Sequence, residues 1–166
     1  MGDPKKLRKQ WEKPKKLFDK ARIERERKLV RTYGFRRKRE IWKIEYLFKS
    51  YKRRARKILA SYDSQEKDIL INKLAGLGIL SKSSSLDDVL NLNLEAFCER
   101  RLQTILYRKG LANTIKQARQ LITHKKVLVG DRIIDQPNYL VSKEEEKKIK
   151  LKEKLKKKSK EGVKNE

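Results

Sequence analysis

The stretch LEAFCERRLQTILYRKGLANTIKQARQLITHKKVLVGDRII, residues 94–134, changes its apolar period part-way along, and that change decides the fold. Up to Thr123 the apolar residues recur every three or four positions, which places them on one face of a helix. Cys98, Leu102, Ile105 and Leu106 form one such face, and Ile115, Ala118, Leu121 and Ile122 form a second. Asn93 is placed to cap the first helix and Gly110 to end it, while Asn113 or Thr114 caps the second. From Val127 the pattern alternates around Gly130-Asp131, where glycine at the first of two loop positions suits a type II′ hairpin turn. Pro137, in the following DQPNYLV, disfavours a central strand because it has no N–H to give to a ladder. The spacing predicts two helices backed by a small sheet. Each helix also has a polar face. Arg100, Thr104 and Arg108 line the first, with Arg101 beside them. Lys116, Gln120 and Thr123 line the second, with Arg119 at its rim.

Upstream, a helix is predicted from near Asp19 to Thr32, stopped by Gly34. The next segment, RKREIWKIEYLFKSYKRRARKILASY, has the clearest period in the chain. Ile41, Ile44, Phe48, Tyr51, Ala55, Ile58 and Tyr62 make one continuous helical stripe. The other faces hold Lys43, Lys49, Lys52, Arg53, Arg54, Arg56 and Lys57, so one side can pack on protein while the other meets phosphate. Read as a coiled-coil seam, the stripe is short and its flanking positions are basic, which disfavours a homo-oligomer. Another helix is predicted from Ser64 to Leu77, with Ile69, Leu70, Leu74 and Leu77 inward, Asp63 or Ser64 as cap and the Gly76–Gly78 pair as its end. SKSSS (81–85) is a candidate boundary loop, and SLDDVLNLN reads as a short turn of helix entering an extended Leu-Asn-Leu.

Charge is distributed in blocks. The 166 residues carry 47 Lys and Arg against 22 Asp and Glu, a net charge of +25. Residues 1–60 hold a net +17, residues 61–99 a net −4, residues 100–142 a net +7 and residues 143–166 a net +5. Such an excess repels itself in a compact state, so a large anionic partner is expected. A mean hydropathy of −0.91 and the lack of any long apolar run exclude a transmembrane helix. The basic start GDPKKLRKQWEKPKK is not followed by the apolar stretch of a secretory leader. Cys98 alone forms no internal disulfide, and one Cys with one His builds no zinc site, so a reducing, intracellular setting is the plain reading. With hydrophobic residues at only 37%, some of the chain is expected to order on its partner alone. The lysine-rich tail reads either as a nucleic-acid-binding extension or as a solubilising end.

Residues 94–141 closely resemble the S4 RNA-binding domain, a small αL-type module of ribosomal proteins and RNA-modifying enzymes. The resemblance rests on RRL at 100–102, ARQLI at 118–122, His124, the V-x-V-G at 127–130, and Pro137 with Tyr139. YGFRRKREIW (33–42) and GILSKSSSLDDVLNLNLEAFCERRLQT (78–104) extend it to the small-subunit ribosomal protein S4 family in its archaeal or eukaryotic form, over roughly residues 10 to 151. The family often has a glycine after the His and a serine after the Pro. Here Lys125 and Asn138 stand there. The cysteine cluster that binds zinc in some bacterial relatives is missing, so neither metal nor cofactor carries over. The fold class implied is α+β. A basic arm (1–18) precedes a mostly helical region (19–93), then comes the S4 module (94–151) and a basic tail (152–166).

The resemblance implies a structural constituent of the small subunit that binds small-subunit rRNA at a folded junction and acts in assembly and decoding accuracy. It would sit beside neighbouring ribosomal proteins, the S5 protein included, in cytoplasmic ribosomes. It also carries an RNA-contact role onto Arg100, Arg101, Arg108, Lys116, Arg119, Gln120, His124, Lys125 and Lys126. Thr114 is a further donor to sugar or phosphate oxygens, and the N-terminal region adds Arg36, Arg37, Lys38, Arg39, Arg53 and Arg54. Arg grips phosphate bidentately, whereas Lys supplies a point charge. His124 has three readings: capping or packing at the helix end, RNA contact, or catalysis. The last would need an orienting acid, and its neighbours are Thr123, Lys125 and Lys126. Trp11 and Trp42 could stack on bases, with packing on protein the stronger reading for Trp42. Two other classes remain open. An RNA-modifying enzyme would need a catalytic domain that residues 1–93 do not resemble, and a free-standing stress or rescue factor would share the module.

Overall fold

The computed structural model describes residues 10–61, 64–81 and 83–152. The basic arm (1–18) and tail (152–166) lie largely outside those described, at residues 1–9 and 153–166. Helix α1 spans Lys20–Tyr33. The Asp19 carboxylate accepts the Arg22 N–H at its start, and Gly34, at φ +63, closes its end with an N–H to the Val30 carbonyl. Helix α2, Lys38–Ser61, carries the predicted stripe, with Ile41, Ile44, Ala55 and Ile58 buried. Phe48 and Tyr51 flank the buried Phe97, with ring centroids at 5.9 and 5.7 Å. Tyr62, the last member of the stripe, lies outside the described residues.

Helix α3, Ser64–Gly76, buries Leu70 and Leu74 as predicted but turns Ile71 and Ala75 inward in place of Ile69. Leu70, Ile71, Leu74 and Ala75 are buried, whereas Ile69 is 57% exposed. At 100° per residue these four cluster on one side, and Ile69 falls almost opposite their centre. Helix α4, Leu86–Asn91, opens on a full capping box between Ser85 and Asp88. Helix α5, Leu94–Glu99, lays Phe97 and Cys98 against α2. The 81–85 loop is therefore no boundary between cores, since Leu86, Val89, Phe97 and Cys98 all join the core built on α2.

A second core begins at Leu102 and gathers Ile105, Leu106, Ala118, Ile122, Val127, Val129, Val141 and Ile149. It is built by α6 (Leu102–Arg108), α7 (Ile115–Thr123) and a sheet of β1 (Val127–Val129), β2 (Arg132–Ile133) and β3 (Ile149–Leu151). Both neighbours pair antiparallel with β1, in the order β2-β1-β3. The single helix predicted over 94–110 is thus two helices. At the break Arg101 is extended, at φ −70 and ψ 140. The Leu102 N–H goes to the Tyr139 carbonyl at 2.8 Å, and the Val141 N–H returns to the Arg100 carbonyl at 3.0 Å. Residues 139–141 thus intercept the helical ladder, which the apolar period of 94–110 cannot reveal.

Between them lies α8, Lys143–Lys147, opened by a capping box of Ser142 and Glu145. Strand β3 went unrecognised because its alternation, KIKLK, is submerged in lysine. In the β1–β2 hairpin Val129 pairs with Arg132, leaving Gly130-Asp131 as the loop. Gly130 is at φ +62 and Asp131 is not at positive φ, as a II′ turn requires. Nothing lies within 4 Å of a Cβ built on Gly130, so only backbone strain would oppose a side chain there. Gly130→Val is therefore expected to lose roughly 1–2 kcal/mol in thermal unfolding, and Asp131→Asn almost nothing. Equal stabilities would mean that the turn is of another kind.

Candidate nucleic-acid interface

Helix α7 is held at both ends. Thr114 Oγ1 accepts the Gln117 N–H at 3.1 Å, while Ala118 and Ile122 are buried. At the other end the Lys126 N–H reaches the Leu121 carbonyl at 3.0 Å and the Lys125 N–H the Ile122 carbonyl at 2.9 Å. That pair of bonds is a Schellman closure, and Lys125 holds its left-handed position at φ +55. Glycine suits that conformation best, so a lysine there maintains a strained cation at the tip of the helix. Lys116, Gln120, His124 and Lys125 all lie exposed on the outer side. His124 closes the helix through its backbone N–H alone. Its imidazole has no hydrogen-bond partner among the described residues, so no acid orients it for catalysis. Cys98 offers no nucleophile either, because burial pushes its thiol up to about 12. Among the described residues no group of His, Cys, Asp or Glu could hold a metal ion.

The arginines expected beside this face have other duties. Arg101 is fully buried. Its guanidinium lies 3.9 Å from the centroid of the Phe35 ring and donates to the Tyr33 carbonyl at 3.1 Å and to Gln103 Oε1 at 3.2 Å. No RNA on the surface reaches it, so Arg101 is a core residue rather than a contact. Arg119 is half-buried and grips Glu40 with two hydrogen bonds of 2.9 and 2.7 Å. Arg100 bonds Glu146 at 2.8 Å and the Val141 carbonyl at 3.1 Å. Arg108 pairs with Glu99 at 2.8 Å on the surface. Thr104, placed by its spacing on the polar face, is buried and donates to the Cys98 carbonyl at 2.9 Å.

Free cations converge elsewhere. Arg31 at the end of α1, Arg36 in the loop before α2, and Lys116 in the first turn of α7 line one cleft of about 840 Å³. None of the three has an acid partner among the described residues. Val30, Phe35, Tyr107, Asn113, Thr114 and Ile115 line the cleft as well. Arg31, Tyr107 and Asn113 were missed by sequence reasoning. The available signal was an aromatic residue set among cations, Tyr107-Arg108-Lys109. Arg37, Lys38 and Arg39 are exposed nearby in sequence, with Arg39 lying 5.4 Å over the Trp11 ring. Trp11 packs on Trp42, at 5.8 Å between centroids, and Trp42 donates its indole N–H to Glu26 at 3.1 Å. Both tryptophans therefore have protein partners. Arg53 and Arg54 are exposed on α2, but their distance from Glu40 along the helix is about 20 Å, so they form a separate surface.

Residues 100–147 match the S4 domain family, a span that opens at the helix break and closes at the end of α8. Over 149 residues the chain is 51% identical to the small ribosomal subunit protein uS4 of Hyperthermus butylicus, covering 88% of this chain and 85% of that one. The chain belongs to the uS4 family. The uS4 protein of Korarchaeum cryptofilum is 50% identical over 151 residues, covering 90% of this chain and 91% of its own. Likeness to these uS4 proteins extends well beyond the S4 domain and takes in the core built on α2. In this member of the uS4 family the break at Arg100–Arg101 is where the two cores meet.

Proposed function

We propose that the protein is a structural constituent of the small ribosomal subunit, holding a folded junction of small-subunit rRNA in cytoplasmic ribosomes, and that it is not an enzyme. The observation that carries this reading is the convergence of cations without an acid partner among the described residues, Arg31 and Arg36 with Lys116 from elements of both cores, on one cleft. In a chain of net charge +25 such cations fit an extended polyanion. Relatives named as small-subunit proteins supply its class. Folded RNA of this kind is read through phosphates, 2′-hydroxyls and shape, which suits lysine and arginine better than a base-reading helix would. The basic face of α2 at Arg53 and Arg54, about 20 Å along the helix from Glu40, supplies a second grip. Membership of the uS4 family supports a part in subunit assembly and decoding accuracy, with the S5 protein among the neighbours.

A stoichiometric constituent stays with small subunits through a high-salt wash, whereas release of the protein at that step would favour a free-standing stress or rescue factor. The contact face has its own test. Lys116→Glu with Lys125→Glu should weaken rRNA binding and flatten its salt dependence by roughly 1–2 units of slope, while circular dichroism stays unchanged. Lys67→Glu, on the exposed side of α3, should do neither. Equal losses in the two proteins would mean that binding is diffuse.

A further inference from the structure

The cleft bounded by Phe35, Tyr107 and the start of α7 has features that phosphate binding alone does not use. We infer that it takes a single unpaired nucleotide extruded from the RNA, with the base against Tyr107 and the phosphate at the α7 N-terminus. This rests on the rRNA reading above and adds what part of the RNA is held and by which groups.

Three observations carry it. Tyr107 is 43% exposed, although every other residue of α6 before Arg108 is buried. Its hydroxyl has no hydrogen bond and its ring no aromatic or cationic partner among the described residues, so one face of the ring is open for stacking. The same cleft is lined by Val30 and Ile115, apolar surface for the second face of a base. Among the described residues the Asn113 side-chain amide has no hydrogen-bond partner and the Thr114 hydroxyl donates to none, so the amide can donate to and accept from a base edge at once. At the rim, the N–H groups of Ile115 and Lys116 open α7 and meet no acceptor among the described residues. With the Lys116, Arg36 and Arg31 side chains they complete an anion site.

The occupant follows from the combination. A base inside a duplex is stacked on both faces and cannot present itself to Tyr107, so the nucleotide must be unstacked. A volume of about 840 Å³ is enough for one nucleotide. An apolar protein side chain would fill the walls yet leave three cations without a counter-charge, and complementarity therefore selects the nucleotide.

The experiment uses the full chain and full-length small-subunit rRNA, with affinity measured across a salt series. Tyr107→Ala should bind roughly 10-fold or more weakly with the salt slope of the unaltered protein, because stacking releases no counterions. Tyr107→Phe should retain the affinity. Lys116→Gln, by contrast, should flatten the slope. Ultraviolet irradiation of the wild-type complex should link the peptide carrying Tyr107 to a nucleotide that is unpaired in the folded RNA. Unchanged affinity in Tyr107→Ala, a slope change matching that of Lys116→Gln, or a crosslink only to base-paired nucleotides would each overturn the proposal. Failure of the wild-type protein to bind this RNA at all would instead reject the functional reading on which it stands.

Discussion

Replacing Glu40 with alanine is expected to lower the unfolding free energy by about 3–5 kcal/mol, the range for stranding a buried charge. The Glu40 carboxylate accepts both hydrogen bonds from Arg119 and lies 3.6 Å from Nη2 of the fully buried Arg101. Without it Arg101 retains two neutral acceptors and the face of Phe35, and its Nε already lacks a partner. It cannot escape by losing its proton. In the native protein burial lowers its pKa to about 10 against the raising effect of Glu40, and a guanidinium gives up its proton only with difficulty. Glu40→Gln keeps an acceptor and should lose less. Urea unfolding of the two variants measures the difference, and a loss below about 1 kcal/mol in Glu40→Ala would show that the three groups are not coupled.

The same cluster sets an acid limit. Burial alone would raise the Glu40 pKa, but the Arg119 hydrogen bond and charge, the Arg101 charge and the Arg36 backbone N–H outweigh it and hold the carboxyl below its ordinary range. A depressed pKa adds stability that is complete above the unfolded value and fades as pH falls through the folded one. Stability of the native protein should therefore decline through the acid range more steeply than that of Glu40→Ala.

The second large effect is expected at Gly34. A Cβ there would lie 2.3 Å from Ile115 Cγ2 and 2.8 Å from Gln103 Nε2, with the backbone at φ +63. Gly110 has nearly the same conformation, φ +68, with nothing within 4 Å. Gly110→Ala thus isolates the backbone strain, roughly 1–2 kcal/mol. Gly34→Ala adds forced separation of α1 from α7, for a total of about 2–5 kcal/mol. Similar melting temperatures for the two variants would mean that Ile115 moves aside freely. Gln103 opposes such movement, because its amide also bonds the Gly34 and Ile115 carbonyls at 3.2 and 3.0 Å.

What could be read from sequence was what the chain decides locally. The stripe of α2, the helix start near Asp19, the cap of α7 at Asn113 or Thr114, and the Gly130-Asp131 turn each depend on residues a few positions apart. Arg101 shows the limit. Its neighbours in sequence place it on a basic face, but the groups that bury it are the Tyr33 carbonyl, the Phe35 ring and Glu40, all far away in the chain. The break before α6 has the same origin, since its hydrogen bonds go to residues 139–141. Arg119 was assigned to RNA for want of any sign that Glu40 would meet it. For the site, lysine positions such as Lys116 were legible because an exposed cation on an amphipathic helix needs no tertiary partner to stay where it is. Tyr107 was not, because its openness depends on what α1 leaves uncovered.

Gly34, Gln103, Arg101, Glu40 and Arg119 together lock the α2 helix to the S4 module at one corner. That corner makes the molecule a fixed caliper. On the proposed reading, once the module has seated, the basic face of α2 would be presented to the RNA at one distance and one angle, with little orientational freedom left to lose on making the second contact. The local concentration of the second surface is then high for an RNA whose two elements match that span, and close to zero for one whose elements do not. Selection among folded RNAs can therefore rest on the spacing of their helices, with no base sequence consulted. A variant that loosens the corner should bind each RNA element alone as well as before while losing its preference for the two held together.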